Sequence, residues 1–444
     1  MEKNLTSGSV FKNLLLFSLP YLLSYFLQTL YGMADLYIIG QFEGVASITA
    51  VSIGSQVMHM LTVMIVGLAM GTTVTIGQAV GGSNKSLMSG LIGNTVTLFA
   101  ALSCVLTVLL VSLRQGITSL VSTPAQAVPG TVAYLTVCFL GIPFIVAYNI
   151  ISAIFRGMGD SKTPMIFIAV ACVANIGLDY LFIGVLHLGP VGAALGTTAA
   201  QALSVVLSLT VILMRRSSMG LSVQKSNFRP QKTLLGRLLR IGVPVMLQDG
   251  FIQVSFMIIT ILANQRGLTD AAAVGIVEKI ISFLFLVPSS LLSTVSALGA
   301  QNIGAGKPER AISTLRYSIG IAVFFGVCVV CAVQVAPASI VALFTSDSAT
   351  AIAGGSYLRG YIFDCFFAGI QFSFSGYFCA LGRAELSFLH NVLSIVLVRV
   401  PGAYLACRLF PQTLLPMGLA SACGSLLSVI VCLIAFSLLQ KNKI

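Results

Sequence analysis

The sequence predicts an all-α membrane protein of twelve transmembrane helices, built as two related six-helix halves. Three observations predict it. Apolar runs recur along the whole 444 residues, charged residues supply only 8% of them, and short motifs repeat about 223 residues apart. A helix needs about 20 apolar residues to cross a hydrocarbon core roughly 30 Å thick, and there every backbone polar group must be paired internally. Soluble domains carry roughly 25% charged residues. With 8% and a mean hydropathy of +1.01, this chain lacks the inventory for a water-facing surface. The runs are continuous rather than alternating with period two, which excludes a transmembrane β-barrel.

Taken in order, the runs place helices 1 to 6 near 14–40, 48–80, 87–112, 129–155, 164–186 and 190–214. Helices 7 to 12 fall near 236–263, 271–300, 311–335, 351–379, 386–408 and 414–439. The first run is too long for a signal-peptide core and lacks a small-residue cleavage site, so helix 1 is expected to be retained. Pro20 in helix 1 and Pro244 in helix 7 each remove one backbone hydrogen bond, making them candidate hinges. Spacings such as Gly67-x3-Gly71 and Gly192-x3-Gly196 read as close helix packing.

The formal charge of +12 invites a nucleic-acid reading, but position opposes it. Eighteen of the 24 Lys and Arg fall at the termini or after the even-numbered helices, among them Lys3, Arg156, Arg216 and Lys443. Only Arg114, Arg266, Arg359 and Arg408 fall on the other side. That asymmetry predicts cytoplasmic termini in a multi-pass plasma or inner membrane protein. The ten cysteines lie in apolar runs, as small hydrophobes, and no His stands near Cys328 and Cys331 to suggest zinc. No cofactor, no nucleic acid and no obligate protein partner is implied; the expected partners are the lipid bilayer and a small-molecule substrate.

The halves share one plan. Gly77-Gln78-Ala79-Val80-Gly81-Gly82 reappears as Ala300-Gln301-Asn302-Ile303-Gly304-Ala305, and Phe155-Arg156-Gly157-Met158-Gly159-Asp160 as Phe378-Cys379-Ala380-Leu381-Gly382-Arg383. Six helices is an even number, so both halves enter from the same side and relate by a pseudo-two-fold axis along the membrane normal, as in many secondary transporters. The expected domains are an N-lobe (1–214), a basic linker (215–235) and a C-lobe (236–444).

A charge at the centre of a membrane helix costs roughly 2.5–3.5 kcal/mol on insertion scales, so each one calls for a reason. Asn175 and Asp179, spaced i, i+4, share one face of helix 5, and Tyr31 and Asp35 repeat the spacing in helix 1. With Thr197 of helix 6 they would assemble two carboxylates, an amide oxygen and a hydroxyl. Carboxylates in one dry pocket resist joint ionisation, so the set is expected to accept H+ or bind Na+. At the repeat offset Asp35 meets Ile258 or Ile259, and Asp179 meets Gly402; the acidic pair is not duplicated. The second half instead carries Glu278, Asp364 and Arg399, read as a structural or substrate-lining ion pair, with Gln253 and Gln371 as neutral polar groups. Asp249 and Lys279 are expected near helix ends.

With those residues in view, the chain resembles the multidrug and toxic compound extrusion family of cation-coupled antiporters. The resemblance rests on Met33–Gly40, Arg156–Pro164, Ala174–Asp179 and Gly192–Thr197, in that order across nearly the whole chain. It implies a two-lobed bundle that exports organic, often cationic, compounds against inward H+ or Na+ flow. It also implies a cation site on Asp35, Asn175, Asp179 and Thr197, a helix 1 hinge at Pro20, and cavity polar groups at Gln28, Tyr134 and Asn149. The family's other branch places acids where this chain has Gln253 and Gln371. Two rivals remain. A lipid-linked oligosaccharide flippase would present a cationic cavity, whereas the first half here is acidic. An intramembrane aspartyl protease would use Asp160 of Gly157-Met158-Gly159-Asp160, yet that residue stands between Arg156 and Lys162 and its repeat counterpart is Arg383.

Overall fold

The computed structural model describes residues 5–215 and 224–441, and among them there is no β-strand. Eleven helices are each long and apolar enough to cross a bilayer, and a twelfth span is formed by Val128–Leu140 with Ile142–Gly157, bent by 48°. Helices 1 to 6 are Val10–Phe42, Val45–Gly81, Lys85–Leu120, that bent pair, Lys162–Val185 and Gly189–Arg215. Helices 7 to 12 are Lys232–Asn264, Leu268–Gly304, Pro308–Val335, Ser348–Ala380, Ala384–Leu409 and Leu415–Lys441. Several outrun their apolar cores; helix 3 continues to Leu120, through Arg114, Gln115 and Gly116 where hydropathy falls. Lys3, Arg216 and Lys443 of the charge pattern, and 216–223 of the linker, lie outside the described residues.

Local chemistry explains the irregular points. The bend in helix 4 falls at Gly141, just before Pro143, which has no N–H to continue the ladder. A Cβ at Gly141 would lie 2.6 Å from Thr198 Cγ2, so the bend also brings helix 4 against helix 6. The repeated turns keep their geometry: Gly159 and Gly382 both have positive φ, +89° and +74°, a region open to glycine at little cost. Two features had no signal in the apolar pattern. Helix 5 passes into a π-helical turn at Tyr180–Val185, and helix 11 does so at Ile395–Arg399.

By contacts the chain divides into two compact units that exchange the starts of two helices. The first contains the described residues of Met1–Leu5 and Leu19–Gly242, the second those of Thr6–Ser18 and Val243–Ile444. Helix 1 thus changes unit just before Pro20, and helix 7 just before Pro244. In the first unit, Gly71 of helix 2 faces the Leu238 carbonyl while Gly242 faces that of Leu68, so side-chain-free positions let the two backbones meet. In the second unit, helix 10 is central: Tyr357, Tyr361, Ile362 and Cys365 lie in its core, and Gly360 and Gly418 allow helices 10 and 12 the same close approach. Lys307 and Arg310 of this unit bind the carbonyls of Thr6 and Gly8, at 3.0 Å each.

Candidate cation site

Three helices of the first unit bring Asp35, Asn175, Asp179 and Thr197 together. Thr197 Oγ1 donates to Asp35 Oδ2 at 3.1 Å, and Asn175 Nδ2 donates to Asp179 Oδ2 at 3.4 Å. The Asp35 carboxylate also interacts electrostatically with that of Asp179. The carboxylates are 4% and 0% exposed, far below what an uncompensated charge tolerates. Three oxygens, Asp35 Oδ1, Asn175 Oδ1 and Asp179 Oδ1, have no hydrogen-bond partner. Buried acceptors are normally satisfied. A proton or a hard cation held by oxygen would satisfy these, so the residues fit the cation.

The other positions distribute as follows. Pro20 lies inside helix 1. Gln28 is half-buried and Tyr134 is buried; Asn149 turns its amide back to the Ile145 carbonyl at 2.8 Å. Tyr134 neighbours Asp35 and Tyr31, whereas Gln253 and Gln371 belong to the second unit. There Gln371 Nε2 donates to Ser425 Oγ at 3.0 Å. Arg399 Nη2 stands 3.8 Å from Asp364 Oδ2 and donates to Tyr361 Oη at 2.7 Å, with its guanidinium 4.7 Å from the Phe256 ring centre. Glu278 is bonded instead to Thr260, at 3.2 Å. Asp249 and Lys279 are well inside helices 7 and 8, not at their ends.

A family profile described as MatE matches residues 20–181 and again 244–405, one match for each half. The chain belongs to the MatE family. Among curated relatives, it is 28% identical over 396 residues to the probable multidrug resistance protein YpnP of Bacillus subtilis, covering 89% of this chain and 88% of that one. It is 27% identical over 408 residues to the multidrug export protein MepA of Staphylococcus aureus, covering 91% and 89%. An outward-facing multidrug resistance MATE family transporter superposes with a TM-score of 0.91 at 22% identity, over 99% of each chain. A MOP superfamily transporter from Pyrococcus furiosus superposes with 0.89 at 20%, over 98% of each. At such identities the structural likeness is one of fold. The protein is a multi-pass membrane transporter, not an enzyme.

Within this MatE chain, several residues escaped the sequence reading. Gly196 was read as a packing glycine, but a Cβ there would meet Asp179 Oδ1. Its absence makes room for the carboxylate. Gly192, its partner in the motif, faces the Phe182 backbone in the π-turn, at 3.0 Å. One spacing therefore serves two purposes, and nothing in it tells them apart. Arg156, counted among the loop cations, is in the last turn of helix 4, buried, with its guanidinium 4.4 Å from the Tyr21 ring centre. Asp160 accepts from the Lys162 and Thr163 amides, both at 3.0 Å. Its carboxylate thus serves the first turn of helix 5.

Proposed function

We propose that this transporter is a secondary active antiporter, exporting organic cationic small molecules in exchange for inward H+ or Na+ by alternating access. The observation that carries the reading is the buried Asp35, Asn175, Asp179 and Thr197 cluster with its three unpartnered oxygens. Its ligand is a cation, and two acids in contact need a proton or metal ion between them. Filling the site removes repulsion between helices 1 and 5; emptying it restores that repulsion. This gives two states of the first unit that a cation biases and that helix 1 can express by bending near Pro20. One charge moving down ~100 mV supplies roughly 2.3 kcal/mol, enough for a modest gradient of a cationic drug.

The names of the relatives support the substrate class, and Gln28, Tyr134, Asn149, Gln253 and Gln371 are the polar groups offered to it. The Lys and Arg asymmetry supports cytoplasmic termini in the plasma or inner membrane, with no cofactor required. The acidic first unit disfavours a pyrophosphate-linked lipid. The test is export of ethidium from proteoliposomes under imposed H+ or Na+ gradients, with Asp35→Asn and Asp179→Asn. Each variant is expected to lose gradient-driven export while keeping downhill ethidium binding. Undiminished gradient-dependent export by both would sink the reading.

A further inference from the structure

The segment that leads from helix 6 into helix 7 has a composition that the cation site does not use. Residues 215–240 contain seven Lys and Arg and no Asp or Glu. Lys225, Arg229, Lys232, Arg237 and Arg240 are all exposed, and none forms an ion pair with an acid among the described residues. On a free loop such like charges spread apart. Here the chain that carries them is docked.

Helix 3 of the same unit does the docking. Asn94, fully buried, accepts from the Gln231 amide at 2.7 Å and donates to the Asn227 carbonyl at 3.1 Å. One turn further on, Thr97 donates to the Phe228 carbonyl at 2.7 Å. Gly93 leaves room for the Asn227 backbone, which a Cβ there would strike, and Leu234 of helix 7 is buried beside Gly90. The short 3-10 turn Lys225–Phe228 is closed on itself, the Gln224 amide donating to Asn227 Oδ1 at 2.8 Å. Lys225, Arg229 and Lys232 are therefore held near one another, on a surface that contains no acid to balance them.

An apolar surface adjoins these cations. The Phe228 side chain is 41% exposed although its own carbonyl is fixed to Thr97. Beyond Thr97, on the same face of helix 3, follow Cys104, Val105 and Val108. Cys104 is exposed, and the two valines are 62% and 69% exposed. Cations beside an outward-facing apolar strip match a molecule with an anionic head and hydrocarbon chains. A nucleic acid or free phosphate would answer the charge and leave the apolar strip unused.

We propose that the docked 224–232 segment and the adjoining face of helix 3 form a binding site for an anionic phospholipid of the surrounding bilayer. Lys225, Arg229 and Lys232 take the phosphate, and Phe228 with the helix 3 face takes an acyl chain. Each Lys or Arg near an anionic lipid surface multiplies affinity about fivefold. The site is independent of how the acidic cluster couples transport.

The test is native mass spectrometry of the purified full-length protein in detergent, titrated with dioleoylphosphatidylglycerol or with dioleoylphosphatidylcholine. Lys225→Gln/Arg229→Gln/Lys232→Gln is expected to weaken phosphatidylglycerol binding about tenfold or more and to leave phosphatidylcholine binding as it was. Lys162→Gln/Arg316→Gln/Arg383→Gln, which removes as much charge from other exposed positions, should retain wild-type binding. Phe228→Ser keeps every charge and should still weaken phosphatidylglycerol binding severalfold. Glycerol 3-phosphate, an anionic phosphate without acyl chains, should not displace the lipid. Equal losses in the two triple variants would reduce the site to diffuse attraction and overturn the proposal. So would unchanged binding by Phe228→Ser, displacement by glycerol 3-phosphate, or displacement by a single-stranded oligonucleotide.

Discussion

At the scale of single residues, Gly196 shows how a missing side chain can matter as much as a charged one. The Asp179 carboxylate occupies the space where its Cβ would stand. Gly196→Ala should therefore cost about 1–3 kcal/mol through overpacking, borne by the acidic cluster. The expected result is a roughly tenfold or larger loss in apparent affinity for the coupling ion, read from export rate against H+ or Na+ concentration. Gly177→Ala in helix 5 is the control, because a Cβ there meets nothing within 4 Å; its export curve should superpose on the wild type. Asp35 and Asp179 were legible because charge is rare in membrane helices and has few reasons to be there. Gly196 was not, since a glycine that admits a carboxylate and one that admits a backbone look alike in sequence.

At the scale of elements, side chains that satisfy loop and helix ends set the geometry. Arg266 binds Asp270 at 2.7 Å and the carbonyls of Phe410, Pro411 and Thr413 at 3.1, 2.9 and 3.2 Å, tying the helix 7–8 loop to the end of helix 11. Arg266→Ala should destabilise the second unit by about 2–3 kcal/mol. Thermal unfolding followed by a thiol-reactive dye on the buried free cysteines, such as Cys365 and Cys379, should show an earlier transition. The start of helix 10 is capped by Asp347, which accepts from Thr350 Oγ1 and from the Thr350 amide at 2.5 and 2.9 Å. Those hydrogen bonds, the hydroxyl's first, hold the Asp347 carboxyl below the usual carboxylate range. Its contribution is therefore complete above the usual carboxylate pKa and is lost as pH falls through the lowered one. Asp347→Asn keeps an acceptor but cannot titrate, so the gap between the two unfolding curves should close on acidification. Apolar runs located every span, yet they missed both π-turns, because periodicity reports which face is buried and not the local hydrogen-bond pattern.

At the scale of the whole molecule, the exchange of helix starts means that each compact unit contains chain from both halves of the sequence. Fragments cut between 216 and 223 leave the second unit without Thr6–Ser18 and the first without the start of helix 7. Neither fragment alone should resist limited proteolysis, whereas co-expressed fragments should reassemble and export ethidium; a protease-resistant C-terminal fragment by itself would contradict this. The contiguous division at 214 and 236 follows the order of the chain, and the units follow packing.

The sequence by itself determined the membrane class, twelve spans, the duplication and the positions of the rare charges. Each of these follows from composition, run length or a repeated motif, and needs no knowledge of what touches what. Only the tertiary structure decided that Asp35, Asn175, Asp179 and Thr197 meet across three helices. It alone placed Arg399 with Asp364 and Glu278 with Thr260, and made the first residues of helix 1 part of the second unit. Those outcomes depend on helix rotation and crossing, which side-chain shape and close glycine contacts select. No linear pattern encodes them.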